Sequence, residues 1–469
     1  MAFTEEQLDL IYAKAHRIKV VAFAGSGKTL AAAGYSKARP NSRILYLVFN
    51  NSAQRDAMGR FPPNVISKTI NAIAYGVFGY SYRHKHGNNL RAADVRAAID
   101  PLGEMNYRSL MLIAETVRLF MISSDMSITI AHAEKAIPED VTIEPDRLVA
   151  VANRLWAAMI DPAQRDVHMT HDAYLKLLHQ SAPDFGNQHD LLIVDEGQDV
   201  NEVTLAIIES QSIPVIMIGD PHQSIYRFRG AVSAMETFQA EKEFALTYSF
   251  RFGCQAATLA NQLLFRYKHE EEILIGAGPD TQISPLIDTS LPYMKIHRTV
   301  ADTIRSAADA VKLGKKIAWV GGVQSYGLSQ VRDLYWLFSN QRTSIQDFRL
   351  VKEFPSYEHY KAAAKETRNA EMTRLTKIVE EYGRETPALL EAITANTCEI
   401  EQAQITLTTA HRSKGLQADR VQLAEDFPEL RVGKMPPEVV DDETNLLYVA
   451  MTRCRQALGV PEAILDQIR

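Results

Sequence analysis

Short apolar runs separated by longer polar stretches set the rhythm of this chain. The runs at residues 19–23, 43–49 and 64–66 are nearly continuous rather than alternating, which predicts short buried strands. Between them, residues 28–38 and 52–59 read as helices. Strand, helix, strand is the βαβ unit of a parallel sheet. The rhythm returns at residues 191–195 and 215–219, again at 244–247, 293–297 and 316–320, and last at 405–409 and 421–424. This predicts an α/β fold with two sheets. Two stretches interrupt it: 83–168 is polar and helical without strand-like alternation, and 322–404 contains the charged run 358–382. Both read as insertions, and the chain holds no internal repeat or low-complexity segment.

Chemistry enters at the end of the first strand. Val20-Val21-Ala22-Phe23 runs straight into Ala24-Gly25-Ser26-Gly27-Lys28-Thr29, a small-residue turn ending in lysine and threonine. Small residues let consecutive backbone N–H groups point at phosphate oxygens, a lysine reaches the outer phosphates and a threonine hydroxyl helps hold Mg²⁺. The strict P-loop pattern opens with glycine, where this chain has Ala22. A second apolar strand, Leu191-Leu192-Ile193-Val194, ends in Asp195 and Glu196. Adjacent carboxylates there suit nucleotide hydrolysis: Asp195 holds Mg²⁺ through water and Glu196 polarises the attacking water. By itself that segment reads equally well as a strand before an acidic helix cap; the upstream phosphate loop favours catalysis.

Composition narrows the class. With 469 residues, 46% of them hydrophobic and 23% charged, the chain is ordinary globular material with room for more than one core. Cys254, Cys398 and Cys454 are far apart and form no CxxC pair, which argues against a disulfide framework or a zinc site and fits a reducing compartment. The amino terminus is acidic and no apolar run approaches a bilayer-spanning length, so the expectation is a cytoplasmic, nucleoid-associated chain of a bacterium or a virus-infected host, without membrane attachment. The formal charge of −6 weighs mildly against nonspecific nucleic-acid attraction but leaves room for a basic groove.

The segment from Ile218 through Gly219-Asp220-Pro221-His222-Gln223-Ser224-Ile225-Tyr226-Arg227-Phe228-Arg229 to Gly230 completes an order of motifs that resembles superfamily 1 helicases of the UvrD/Rep type. The resemblance implies that Gln223 senses the γ-phosphate and that Phe228, with Tyr226, stacks on bases of single-stranded DNA, a sequence-tolerant contact suited to a motor. Phe3-Thr4-Glu5-Glu6-Gln7 resembles the adenine-reading motif, with Gln7 at the base edge. Residues 246–252 resemble the motif with an aromatic near adenine, Phe250, and an arginine finger, Arg251; residues 443–453 resemble the last motif, which adds Arg453. Arginine suits both places because its planar fork pairs with phosphate oxygens and keeps its charge. Residues 408–417 resemble the segment linking nucleotide to DNA, placing His411 on DNA; Gln417 stands where the family usually has glutamate, and its amide still reaches a ribose hydroxyl. Phe49, Asn50, Thr69 and Asn71 complete the DNA-facing set, Asn71 replacing the customary histidine. Residues 61–69, 169–177 and 249–253 point to the F-box DNA helicase branch, with no room before Gln7 for an F-box.

The resemblance implies two RecA-like parallel-sheet domains: 1–83 with 169–242, and 243–325 with 402–469, carrying insertions at 84–168 (helical) and 326–401 (reduced). It implies ATP and Mg²⁺ as cofactors, with Ala24, Gly25, Ser26, Gly27, Lys28 and Thr29 on the nucleotide and Thr29 and Asp195 on the metal. It further implies 3′→5′ movement on single-stranded DNA and at duplex junctions by a monomer, in repair, recombination or replication. ATP between two domains would be gripped from one side by Lys28, Glu196 and Gln223 and from the other by Arg251 and Arg453, so that hydrolysis reopens the clamp. Two other readings stay open on sequence alone: a DNA-stimulated ATPase that strips proteins from DNA without efficient unwinding, and a non-motor ATP-binding switch or scaffold. The full hydrolytic set weighs against the switch.

Overall fold

The computed structural model describes residues 3–50, 54, 55, 57, 59–100, 102–227, 230 and 234–469. Half of the helix expected at 52–59 lies outside the described residues, as does Phe228. The chain divides into two compact units: Met1–Phe23 with Gly27–Leu246, and Ala24–Ser26 with Thr247–Arg469.

The first unit is built on six strands, β1 (Arg17–Ala22), β2 (Ile44–Val48), β3 (Val65–Thr69), β4 (Leu191–Val194), β5 (Val215–Gly219) and β6 (Lys242–Leu246). They hydrogen-bond in the order β3-β2-β4-β5-β1-β6, all parallel. Every residue of β2, β4 and β5 is buried. The reason is visible in the two apolar clusters. Leu45, Leu47, Leu192, Val194, Val215 and Met217 belong to one, while Ile44, Tyr46, Val48, Leu191, Ile193, Ile216 and Ile218 belong to the other. Alternate residues of a strand face opposite sides, so a strand covered on both faces must be apolar throughout.

Two expectations change here. The strand expected at 244–247 was assigned to the second domain, yet β6 pairs with β1 in the first sheet, because Val20 and its neighbours need a partner on that edge. The helices of the first insertion, including Tyr107–Ile122 and Pro145–Ile160, share their core with the sheet: Leu110, Val117, Phe120, Leu155 and Trp156 fall in the same cluster as Leu45 and Leu192. The insertion is one cover of the sheet rather than a separate body.

The second unit contains a two-stranded pair, β7 (Tyr248–Ser249) with β8 (Ile275–Gly276), and a second parallel sheet. Its strands are β9 (Gln282–Ser284), β10 (Tyr293–His297), β11 (Ile317–Trp319), β12 (Ile405–Thr409), β13 (Ala418–Leu423) and β14 (Cys454–Gly459), in the order β11-β12-β10-β13-β14-β9. All pairings in it are parallel. The insertion between β11 and β12 is helical, and its charged run divides into Tyr357–Glu366 and Ala370–Tyr382. Arg368 in the left-handed region and Asn369 as the next N-cap make the break. Both sheets have the helix-flanked parallel character of RecA-like domains.

Candidate active site

In the first unit three neighbouring strands deliver the chemistry at their carboxyl ends, where open α/β sheets bind ligands. β1 leads, after Ala24–Ser26, which group with the second unit, to Gly27 and Lys28, β5 leads to Asp220 and β4 to Asp195, with β5 lying between the other two strands. Gly25 (φ +79°) and Gly27 (φ +78°) occupy the left-handed region, which turns the chain sharply into the helix Lys28–Lys37. Lys28 and Thr29 therefore stand in the first turn of a helix, where backbone N–H groups face outward for an anion.

Lys28 Nζ lies 3.5 Å from Glu196 Oε1. The Tyr46 hydroxyl donates to Asp195 Oδ2 and also bonds the Thr29 side chain. Tyr46 thus ties together the two residues expected to hold Mg²⁺. Burial pushes the Asp195 carboxyl above the usual carboxylate range, and Glu196 next to it pushes the same way; Lys28 and the Tyr46 hydrogen bond oppose them. Burial, with Asp195 next, also raises the Tyr46 phenol, which stays a donor. A hydroxyl and a partly buried carboxylate are hard oxygen ligands that fit Mg²⁺, which takes one or two protein groups and completes its shell with phosphate and water. Among the described residues no group of three or more His, Cys, Asp or Glu could hold a metal ion.

Gln223 is 5% exposed, and its Nε2 donates to Asp220 Oδ2 at 2.6 Å. Asp220 in turn is joined to Gln198, whose Oε1 accepts from Asp220 N at 2.9 Å and whose Nε2 donates to Glu196 Oε2 at 2.5 Å. His222 stacks on Phe23, centroids 5.7 Å apart. Both acids also border a cavity of about 310 Å³, lined in part by Asp195, Glu196, Phe49, Asn50, Asn71 and Tyr226. Phe49 and Tyr226 stack with centroids 5.2 Å apart and planes 17° apart. Four of the expected DNA residues thus meet both acids in one hollow of this unit.

The second unit brings its two arginines together although they are far apart in sequence. Arg251 Nη1 donates to Thr452 O at 2.7 Å, and Arg453 Nη2 donates to Thr452 Oγ1 at 3.0 Å. Arg453 is 1% exposed and also donates through Nε to Val449 O at 2.7 Å. The helix that leads to it, Pro437–Met451, is anchored by a two-pronged pair: Arg298 Nε and Nη2 donate to Glu443 at 2.7 and 2.6 Å.

The remaining expected residues are placed as follows. Gln7 is 1% exposed and forms a capping box with Thr4, its Oε1 accepting from Thr4 N at 3.2 Å. Thr69 is buried and its hydroxyl caps the helix Ile70–Val77 by accepting from Ala72 N at 3.0 Å, a structural use that helical capping explains without DNA. His411 sits in the short turn of helix after β12, Gln417 is exposed before β13, and Phe250 is half-buried after β7. Sequence reasoning missed Tyr46 and Gln198. Tyr46 carries a faint signal, a lone phenol in the aliphatic strand Ile44–Val48; Gln198 carries none beyond standing two residues after Glu196.

Comparison with known proteins agrees with this geometry. A family model described as the UvrD-like helicase C-terminal domain matches residues 146–462, and one described as an AAA domain matches residues 7–229. F-box DNA helicase 1 of Gallus gallus is 29% identical over 511 aligned residues, which cover 98% of this chain and 49% of that protein. F-box DNA helicase protein 1 of Schizosaccharomyces pombe is 31% identical over 498, covering 95% and 56%. A probable DNA helicase II homolog of Mycoplasma genitalium is 33% identical over 100 residues, covering 19% and 14%. The chain spans about half the length of the two F-box relatives.

Proposed function

Because the chain belongs to the UvrD-like helicase family, we propose that it is an ATP-driven motor that moves 3′→5′ on single-stranded DNA. In this reading it opens duplex at single-strand junctions, as a monomer, in repair, recombination or replication. The observation that carries it is the shared cavity, in which the carboxylates of Asp195 and Glu196 and the Phe49–Tyr226 stack line the same hollow. Such a hollow gives an approaching base a direct route to influence the hydrolytic acids.

The chemistry follows from the residues. Lys28 and the amino end of its helix hold the outer phosphates of ATP. Thr29 and Asp195 would hold Mg²⁺, which when bound neutralises charge on the phosphate oxygens. Glu196 takes a proton from the attacking water while Gln223 marks the γ-phosphate, and Arg251 and Arg453 supply guanidinium charge as the leaving group departs. In this reading Phe49 and Tyr226 stack on successive bases. Among the described residues no helix is long and apolar enough to cross a membrane.

The test is ATP turnover with and without single-stranded DNA, paired with strand displacement from 3′- and 5′-tailed duplexes. DNA-stimulated hydrolysis and displacement confined to the 3′-tailed substrate is the expected result. Displacement from the 5′-tailed duplex alone refutes the polarity, and hydrolysis indifferent to DNA refutes the motor. Stimulated hydrolysis without displacement assigns the chain to protein stripping instead of unwinding.

A further inference from the structure

Glu196 stands in the left-handed region, φ 54° and ψ 44°, a conformation that a non-glycine residue keeps only when its surroundings hold it there. Lys28 pairs with its carboxylate at 3.5 Å, and a buried amide also takes hold of it. Gln198, 1% exposed, donates from Nε2 to Glu196 Oε2 and accepts at Oε1 from the backbone N–H of Asp220. Its backbone carbonyl accepts from Ser224 Oγ at 3.2 Å. The fold clears space for it. A Cβ on Gly219 would meet Gln198 Oε1 at 2.5 Å and Gln198 N at 3.1 Å.

The chemistry of the two ends explains the residue type. A backbone N–H needs an acceptor and an ionised carboxylate needs a donor, and a side-chain amide of this length offers both at once. Beyond Asp220 the path continues, because its carboxylate accepts from His222 N at 3.1 Å and from Gln223 Nε2 at 2.6 Å. The segment that follows carries Tyr226 on the cavity wall.

We infer that Gln198 is a positioning residue that fixes the Glu196 carboxylate and couples its orientation to the segment Asp220–Tyr226, so that events at Gln223 and Tyr226 reach the catalytic base. This rests on the ATPase reading above. When the segment shifts, Asp220 N carries the amide oxygen with it, and the opposite end of the same planar group turns Glu196.

The experiment uses the full chain as wild type, Q198M and Q198E, measuring kcat and KM for ATP with and without oligo-dT. Q198M matches the length but neither donates nor accepts strongly. Expected for it is a fall in kcat of about tenfold or more, with KM for ATP within about threefold and a reduced stimulation by DNA. Q198E keeps the length but replaces the amide donor with a second carboxylate against Glu196, so its kcat and its stimulation by DNA fall at least as far as those of Q198M. Wild-type kcat and stimulation ratio in both variants overturn the proposal. Loss of the folded state in both, seen by circular dichroism, overturns it as well by assigning Gln198 to stability. Should the wild type itself lack turnover, the ATPase reading fails first; unchanged variants beside an active wild type refute the role of Gln198 alone.

Discussion

Removing the Lys28 ammonium, as Lys28→Ala, perturbs two things that the structure lets one separate. At 3.5 Å, Lys28 and Glu196 attract by roughly 5 kcal/mol at an effective dielectric of about 20, before desolvation is subtracted. Both side chains keep some solvent contact, 14% for Lys28 and 26% for Glu196, so the net loss of stability is about 1–3 kcal/mol, between the values for surface and buried pairs. The loss depends on pH with a definite sign. Lys28 holds the Asp195 carboxyl down against burial and Glu196, so without it the folded-state pKa of Asp195 climbs further above its unfolded value. An acid with a raised folded pKa weakens the fold where it is ionised, and this penalty fades as the pH falls through that pKa. Urea unfolding at about pH 8 therefore shows the full deficit of Lys28→Ala, and the two proteins converge on acidification. The catalytic loss is separate and larger: withdrawing a preorganised charge from the γ-phosphate costs on the order of 10²–10³ in kcat or more, with residual binding of single-stranded DNA. Coupled-enzyme turnover with oligo-dT and fluorescence anisotropy of labelled DNA measure the two. Retained DNA-stimulated turnover in the variant refutes the phosphate role, and a stability deficit that stays constant with pH refutes the carboxylate argument.

Other expectations follow from the same geometry. Arg251→Ala lowers kcat much more than it weakens ATP binding, measured by steady-state kinetics beside nucleotide titration; equal losses count against the finger role. Tyr46→Phe removes the donor to Asp195, moves that carboxyl further up and raises the Mg²⁺ concentration needed for half-maximal turnover by about tenfold, with the acid limb of kcat moving to higher pH. An unchanged Mg²⁺ titration would show that Tyr46 serves packing alone. Burial pushes the Cys454 thiol up to about 12, so in the folded protein a thiol reagent modifies exposed Cys254 while Cys454 reacts only on unfolding. Peptide mapping after brief labelling reads this directly, and early modification of Cys454 contradicts its burial.

The local patterns in the sequence survived folding well. The strands expected at 215–219, 293–297 and 405–409 match β5, β10 and β12 residue for residue; β5, buried at every position, is a continuous apolar run that needs no knowledge of its neighbours, while β10 and β12 carry polar residues between their apolar ones. The glycine turn before Lys28 and the acids after Val194 were likewise legible, since each combines a strand end with a compact motif. Neighbour relations were not. β6 reads as the start of something new after a long polar stretch, yet its partner is β1, more than 200 residues earlier. The stretch 84–168 reads as an insertion because it is polar and lacks strand-like alternation, whereas the face its helices bury is the sheet's.

At the site the division is the same. Residue type and order pointed to Lys28, Thr29, Asp195 and Glu196 as partners in one proposed chemistry, because a phosphate loop and paired acids at strand ends are compact local motifs, and Gln223 joined them through the family resemblance. Only the tertiary structure decided that Tyr46 joins Thr29 to Asp195, that Gln198 joins Glu196 to Asp220, and that Arg251 and Arg453 meet at Thr452. Each of these is a hydrogen bond lasting a few ångströms in space between groups whose separation along the chain carries no period. Hydrophobic patterning fixes which face of an element is buried; the order of strands in a sheet fixes which polar ends come side by side, and that order is set by long-range packing.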